Sequence, residues 1–229
     1  MLRRRKLFVL IISLLAFLSA CSSESTEEKI HSHLQEAVEL EKGFEEQQKE
    51  ITELERQEQE LYSQIINLGM EDFEKIQELS QQAIEIIEQR SEKIDLEKES
   101  IAASEVEFTK TADFIDDLEE QEVKDTASTM FDVMNNRYSA YYALYDAYTE
   151  SLMLEEQLYT MLQQEDIQQE DLTEQINTIN NSYQEVLEAN DQFNEGTVEY
   201  NALKKEYYEL AGIDVSYEEN PAGGKSDSE

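Results

Sequence analysis

A seven-residue repeat of apolar residues, almost free of helix breakers, is the feature that most limits what this chain can fold into. In its longest column an apolar residue recurs at every seventh position from Phe73 to Ile115, and only Ser80 is polar. The one proline of the chain, Pro221, lies close to its end. Heptads sustained over this length are typical of long helices that supercoil around one another. The repeat therefore predicts an all-α fold.

The first two helical segments are marked by their starts and by a glycine turn. Ser25 and Glu28 have the spacing of a capping box, which opens the first segment. The apolar column of this segment is interrupted by a single acidic residue, Glu58. The segment ends at Leu68-Gly69. The second segment starts near Met70 and carries the longest column. Its pattern fades at a polar stretch, 119–122, which predicts a turn near 124–126 with Asp125 as the helix cap.

The last two segments are separated by a second polar stretch, 165–170. The third segment runs to about Gln164. The fourth opens with Asp171 and Glu174, which repeat the capping-box spacing. It ends at Gly212, a residue type suited to the left-handed position that closes many helices. The chain therefore contains four apolar-striped segments of similar length joined by short connections.

Four such segments favour an elongated antiparallel four-helix up-and-down bundle with coiled-coil-like packing, about 60 Å long. Three packed helices with one element docked differently is the alternative. An even number of antiparallel helices brings both ends of the domain to one pole. The turns at Gly69 and at 165–170 would then lie at the opposite pole.

The N-terminus has the layout of an export signal. Basic residues 3–6 precede an apolar run, 7–18, that is too short to span a bilayer as a helix. The run leads into Leu18-Ser19-Ala20-Cys21, which resembles the lipobox of bacterial lipoprotein precursors. That resemblance implies cleavage before Cys21 and attachment of a diacylglycerol, with fatty acyl chains such as palmitate, to its thiol. An ordinary signal peptide with a stray cysteine and an uncleaved anchor helix are the alternatives.

Cys21 is the only cysteine in the chain and falls at the expected processing point. We therefore expect a signal peptide over residues 1–20, a lipidated tether over 21–25 and a helical bundle domain over 26–212. A disordered acidic tail follows over 213–229. Two buried acyl chains anchor a protein stably to a membrane. The expected location is the extracellular face of the cell membrane, with the domain in water.

The charge of the chain excludes one class of partner. It has 18 basic and 54 acidic residues, a net charge of −36. Cleavage before Cys21 removes four of the basic residues and none of the acidic ones, which leaves −40. Nucleic acid is excluded, because phosphate binding needs a basic surface. Anionic lipid headgroups and wall polymers are disfavoured unless cations bridge them, so wall association should strengthen with divalent cations or high salt.

A cluster of tyrosines in the third segment offers a candidate contact surface for a glycan or a protein partner. Its members are Tyr138, Tyr141, Tyr142, Tyr145 and Tyr148. Exposed aromatic rings can stack on sugars. Four of the five follow the apolar stripe, however, which favours core packing with hydroxyls at the edge. Tyr142 lies off the stripe and is the best candidate for a surface contact.

Metal binding and catalysis find no support in the motifs. Glu28 and His31 provide one Glu-x-x-His pair, but a di-iron bundle needs a second pair on another helix. The only other histidine, His33, lies on the same turn, so both are interpreted as solvated. No nucleophile elbow, phosphate loop or metalloprotease helix is present. The sequence therefore predicts no enzyme, no metal site and no cofactor.

With the lipobox, the four helical segments and the turn at 65–70 in view, the chain resembles the YkyA-type family of Gram-positive lipoproteins, named for cell-wall binding. The stretch from Glu41 to Met70, with Phe44-Glu45-Glu46-Gln47-Gln48-Lys49, carries most of the resemblance. It implies a four-helix fold on the outer membrane face beneath the wall, and it supplies no catalytic residues. We expect a non-enzymatic binding or structural module at the membrane–wall interface, with the wall or an envelope protein as partner. The alternative is a lipoprotein that binds a solute or a divalent metal.

Overall fold

The computed structural model describes residues 24–214, which form a four-helix bundle as predicted. The signal segment, Cys21 and the tail from residue 215 lie outside the described residues. The α-helices in chain order are α1 (Thr26–Leu40), α2 (Lys42–Ile65), α3 (Phe73–Phe108), α4 (Ala112–Ile115), α5 (Gln121–Leu162) and α6 (Gln169–Leu210). Single 3-10 turns lie at Met70–Asp72 and Thr109–Thr111. Helices α1 and α2 together form the first rod of the bundle, and α3, α5 and α6 form the other three.

The two ends of the domain meet at one pole, as expected for an even number of antiparallel rods. The Tyr207 hydroxyl lies 3.4 Å from the backbone oxygen of Glu27, and the rings of Tyr208 and His31 meet edge to face. We call this the proximal pole. At the distal pole, Gln77 Nε2 donates to the backbone oxygen of Gln163 at 3.1 Å and links the two turns.

The apolar core forms two clusters along the axis. The proximal cluster is rich in aromatic residues and includes Phe108, Tyr138 and Tyr200. The distal cluster is mainly aliphatic, with Ile87 and Leu152 among its members. Residues of the predicted heptad columns occupy both clusters, because a seven-residue period keeps one helix face turned toward the same neighbours.

Two of the predicted helix ends are confirmed. The Ser25 side chain accepts from the Glu28 backbone N–H, and the Glu28 carboxylate accepts from the Ser25 backbone N–H. At the other end Gly212 has φ +66°, and the Ile213 N–H donates to the oxygen of Tyr208 at 3.0 Å. This is the Schellman arrangement that closes a helix.

The expectation of one continuous first helix is wrong, because the first rod is interrupted at Glu41. Ser100 of α3 lies against the interruption. Its hydroxyl donates to the oxygen of Leu40 at 2.5 Å and accepts from the Phe44 N–H at 3.1 Å. A Cβ added at Gly43 would lie 3.0 Å from Ser100 Oγ, so this glycine lets the hydroxyl approach. A side chain inserted between backbone groups is a known cause of helix breaks.

The predicted turn at 124–126 is also misplaced, since the chain reverses over residues 116–120 and α5 begins at Gln121. Leu118 is buried at the reversal, and Lys124 Nζ lies 2.7 Å from Asp116 Oδ1. These contacts determine where the chain turns, although the turn contains no glycine or proline.

Neither aspartate predicted as a helix cap serves as one. Asp125 lies inside α5, where its carboxylate accepts from Gln121. Helix α6 begins at Gln169, before Asp171, and its N-cap Gln168 makes no side-chain capping bond. Glu170 and Asp171 lie in the first turn of α6, where negative charge stabilises the positive end of the helix dipole.

Candidate functional site: a polar column and a distal cleft

A second heptad column of α3 turns polar halfway along the bundle. It lies three positions after the apolar column followed in the sequence and continues into the 3-10 turn that follows α3. All its members are buried: Ile76, Ala83, Arg90, Glu97, Ser104 and Thr111. Sequence reasoning missed it. The signal was present, because a charged residue on a buried heptad position requires a partner on a neighbouring helix.

Arg90 is the centre of the largest buried polar cluster. Its guanidinium donates to Glu58 of α2, and to Glu155 of α5 at 2.6 Å. It also donates through Nε to the Tyr148 hydroxyl at 3.0 Å, and Tyr148 in turn donates to Glu55 at 2.8 Å. The Arg90 and Glu155 side chains are 5% and 3% exposed. This cluster joins three of the four rods.

Glu58, the acidic exception in the first apolar column, is thus a buried member of this cluster. Burial raises the pKa of its carboxyl, and the charge of Glu155 raises it further, against the opposing effect of Arg90. At full ionisation three carboxylates, those of Glu55, Glu58 and Glu155, surround one guanidinium. The cluster therefore has a formal excess of two negative charges when all three are ionised, and of one when Glu58 is protonated.

A cleft of about 340 Å³ opens between α2 and α6 beside this cluster. Its lining combines aromatic, aliphatic, amide and charged side chains: Glu55, Glu58, Gln59, Tyr62, Arg90, Glu155, Leu158, Tyr159, Ile176, Ile179, Asn180 and Tyr183. The α2 part of the lining lies within the last eleven residues of that helix, and the α6 part begins at the eighth residue of α6. The cleft is therefore in the distal half of the bundle, next to the turns.

The same side of the bundle is closed in its proximal half. Arg137 of α5 forms a double hydrogen bond with Glu41, each at 2.9 Å, and donates to Thr197 of α6 at 2.7 Å. Phe44 of α2 and Phe193 of α6 are in ring contact at 5.6 Å. These contacts tie the first rod to α6, so the cleft lies where that closure ends.

Tyr183 forms part of the cleft rim. Its hydroxyl donates to the second oxygen of Glu155 at 2.8 Å, while 40% of the residue remains exposed. The Tyr159 hydroxyl bonds Glu58 from the inner side. Lining of this kind, apolar and aromatic with a few oriented polar groups, is typical of small-molecule sites.

The five tyrosines singled out in the sequence are buried in the bundle to different degrees. Tyr138 and Tyr141 are fully buried, and their rings have no face open to a glycan. Tyr142 is half-buried, and its hydroxyl donates to Glu105 of α3. The Tyr145 hydroxyl donates to Asp95, and Tyr148 belongs to the Arg90 cluster. The tyrosines that line the cleft are Tyr62, Tyr159 and Tyr183, which the sequence did not single out.

The interpretation of both histidines as solvated is wrong. His33 Nδ1 lies 2.6 Å from Glu107, and its ring stacks on Phe114. His31 lies against Tyr208, and partial burial together with nearby Lys204 lowers its pKa. Both are held by the packing of the proximal pole.

Within residues 24–214, no three or more His, Cys, Asp and Glu side chains are grouped so that they could hold a metal ion. Over the same residues, no helix has both the length and the hydropathy needed to cross a bilayer.

Comparison with known proteins places the chain among lipoproteins. The YkyA family model, described as "Putative cell-wall binding lipoprotein", matches residues 25–210. The "Uncharacterized lipoprotein YkyA" of Bacillus subtilis is 34% identical over 198 residues, which cover 86% of this chain and 89% of that protein. A crystal structure of a conserved protein of unknown function from Staphylococcus aureus has a TM-score of 0.72 at 19% identity. It covers 84% of this chain and 98% of its own, and at this identity it shows the shared fold alone. The chain belongs to the YkyA family of lipoproteins.

Proposed function

We propose that this protein is a non-enzymatic binding module of the cell envelope, anchored to the outer membrane face through lipid on Cys21, and that its distal cleft is the binding site. The observation that carries the proposal is the position of the cleft. It lies beside the turns at the pole opposite to the start of the domain. An anchor at residue 21 would hold the proximal pole at the membrane and direct the cleft outward.

The length of the bundle is sufficient to hold the cleft well away from the membrane. Helices α5 and α6 each contain 42 residues, and at 1.5 Å per residue each is about 63 Å long. The cleft would then stand several tens of ångströms above the bilayer. Only the short segment from Cys21 to Ser25 separates the lipidated cysteine from the first helix. The bundle would act as a rigid spacer that presents a site to the wall.

The composition of the cleft favours binding over catalysis. Each carboxylate partner of Arg90 also bonds a tyrosine hydroxyl: Glu55 bonds Tyr148, Glu155 bonds Tyr183 and Glu58 bonds Tyr159. Such mutual bonding fixes side chains in place, and pre-arranged groups bind a ligand with less loss of conformational entropy. Among the described residues that line the cleft, none is a serine, cysteine, histidine or lysine, and its glutamates, the other candidate nucleophiles, are bonded to Arg90 or to tyrosine hydroxyls.

Retention on purified cell-wall sacculi tests the proposal. The mature protein should co-sediment with sacculi, and Tyr183→Ala at the cleft rim should lower the retained fraction severalfold. Val198→Ala is the matched control, since Val198 is 72% exposed on the same helix and lies outside the cleft. Both variants should keep the helical circular dichroism of the parent. No retention of the parent protein, or equal retention of both variants, would contradict wall binding through the cleft.

A further inference from the structure

We propose that the distal cleft recognises a primary ammonium group on an organic ligand. This inference rests on the proposed function, because it names the chemistry that the same cleft would take. It is carried by the unequal charges of the cleft, by the hydrogen bonds that already hold its one cation, Arg90, and by the aromatic side chains around it.

The charges of the lining favour a cation. Three carboxyl groups face one guanidinium, which leaves a negative excess even when Glu58 is protonated, and Glu155 and Arg90 are almost fully buried. An additional positive group in the cleft would offset the remaining negative charge where solvent screening is weak. Glu55 is the accessible member of the cluster, since 43% of its side chain is exposed. It could meet a ligand without unfolding of the bundle.

An anionic ligand is disfavoured because the Arg90 guanidinium already bonds acidic side chains. Its Nη1 atom donates to Glu58 and Glu155, its Nε atom donates to Tyr148, and its Nη2 atom lies 3.5 Å from Glu55. An incoming carboxylate or phosphate would have to compete with Glu55 at Nη2 or displace the buried Glu58 and Glu155 from Nη1. Loss of a partner from a buried ion pair costs several kcal/mol.

A bare divalent ion is disfavoured by the same guanidinium, which repels it, and by the lack of a metal-holding group within residues 24–214. An organic ammonium suits the remaining lining. Tyr62 and Tyr183 offer partly exposed aromatic rings, whose faces attract cations. Ile176 and Ile179 offer aliphatic contacts for the carbon atoms of the ligand. A volume of about 340 Å³ equals that of roughly eleven waters, enough for an amino sugar or one amino acid.

The direction in which added salt changes wall binding distinguishes direct ammonium contact from bridging by cations. Direct contact between an ammonium and carboxylates weakens as salt screens the charges. An association limited by repulsion between two anionic partners would instead strengthen with sodium chloride or magnesium. An ammonium would therefore give the cleft a local attraction to the wall even though the mature chain, with 14 basic and 54 acidic residues, has a charge of −40.

The first experiment uses small probes on the mature protein. We expect n-butylammonium, followed by NMR of the Asn180 and Gln59 side-chain amides, to give saturable shifts, and n-butanol at equal concentration to give none. Glu55→Gln should weaken butylammonium binding by about threefold to tenfold. Glu60→Gln is the matched control, with the same charge change on the same helix at an exposed position paired with Arg56. Equal responses to butanol, or identical titrations of Glu55→Gln and the parent, would overturn the inference.

The second experiment separates this inference from the proposed function. Sacculi treated with acetic anhydride lose their ammonium charges and should retain much less protein than untreated sacculi. Mild alkali removes ester-linked amino groups alone. Loss of retention after this treatment would identify an ester-linked ammonium, and unchanged retention would identify the ammonium groups of wall peptides. Equal retention on acetylated sacculi, with Tyr183→Ala still defective, would overturn the ammonium inference and leave the cleft as the wall site. No retention of the parent on untreated sacculi would overturn the proposed function, and the butylammonium titration would still decide the chemistry.

Discussion

Arg90 of α3 and Glu155 of α5 form an ion pair at 2.6 Å inside the bundle, with side chains 5% and 3% exposed. The same guanidinium holds Glu58 of the first rod. A buried pair of this kind contributes little net free energy compared with an apolar core. Removal of one partner alone, in contrast, leaves a buried charge without compensation.

Arg90→Met should therefore lower the free energy of unfolding by about 3–5 kcal/mol, measured by urea denaturation at neutral pH. Arg56→Met is the control, because Arg56 pairs with Glu53 and Glu60 on the surface and should cost less than about 1 kcal/mol. Similar losses in the two variants would show that the Arg90 cluster does not hold the rods together.

Glu97 predicts a pH dependence of stability. It is fully buried next to Gln48, and burial raises the pKa of its carboxyl from 4.5 to about 7. The folded state therefore binds this proton more tightly than the unfolded state does. The stabilisation is complete below pH 4.5 and is lost as the pH rises through about 7.

Glu97→Gln keeps the shape of the side chain and removes this titration. Between pH 4.5 and pH 8, the parent should lose about 2–3 kcal/mol of unfolding free energy relative to the variant. Thermal or urea unfolding at a series of pH values measures the difference between the two curves. Parallel curves for the two proteins would contradict the burial of an ionisable carboxyl at this position.

The sequence predicted the number and direction of the rods and the two outer ends of the domain, at Ser25 and Gly212, because apolar periodicity and capping residues are local features. It predicted little of the candidate site. Glu58 was seen only as a gap in an apolar column, and Arg90 attracted no attention because its column was not followed. Their partnership depends on how the first rod, α3 and α5 face one another. The break at Glu41 was missed for a related reason, since its cause is Ser100, almost sixty residues away.

Ser100→Ala tests the cause of that break. The substitution leaves the Phe44 N–H and the Leu40 carbonyl without the hydroxyl that bonds both. We expect a loss of about 1–2 kcal/mol of unfolding free energy. Ser139→Ala is the matched control, since that hydroxyl is exposed and bonds only the Asn135 carbonyl of its own helix. It should change stability by less than about 0.5 kcal/mol. Equal effects would mean that Ser100 does not support the interruption.

Cys21→Ser tests the proposed anchor. The variant should move from the membrane fraction to the soluble fraction of fractionated cells, because no diacylglycerol can be attached, while its helical circular dichroism stays unchanged. A conservative change in the tether, Ser22→Ala, serves as the control and should leave the protein in the membrane fraction. Retention of Cys21→Ser in that fraction would contradict anchoring through the cysteine.

The most direct test of the central claim is to map where wall material contacts the protein. The ¹⁵N-labelled mature protein would be titrated with soluble fragments of digested wall, and backbone shifts would be followed by NMR. If the distal cleft is the binding site, the shifts should concentrate in residues 55–62 of α2 and 176–183 of α6. Shifts concentrated in the closed proximal half, around Arg137 and Val198, or no saturable shifts at all, would contradict the account.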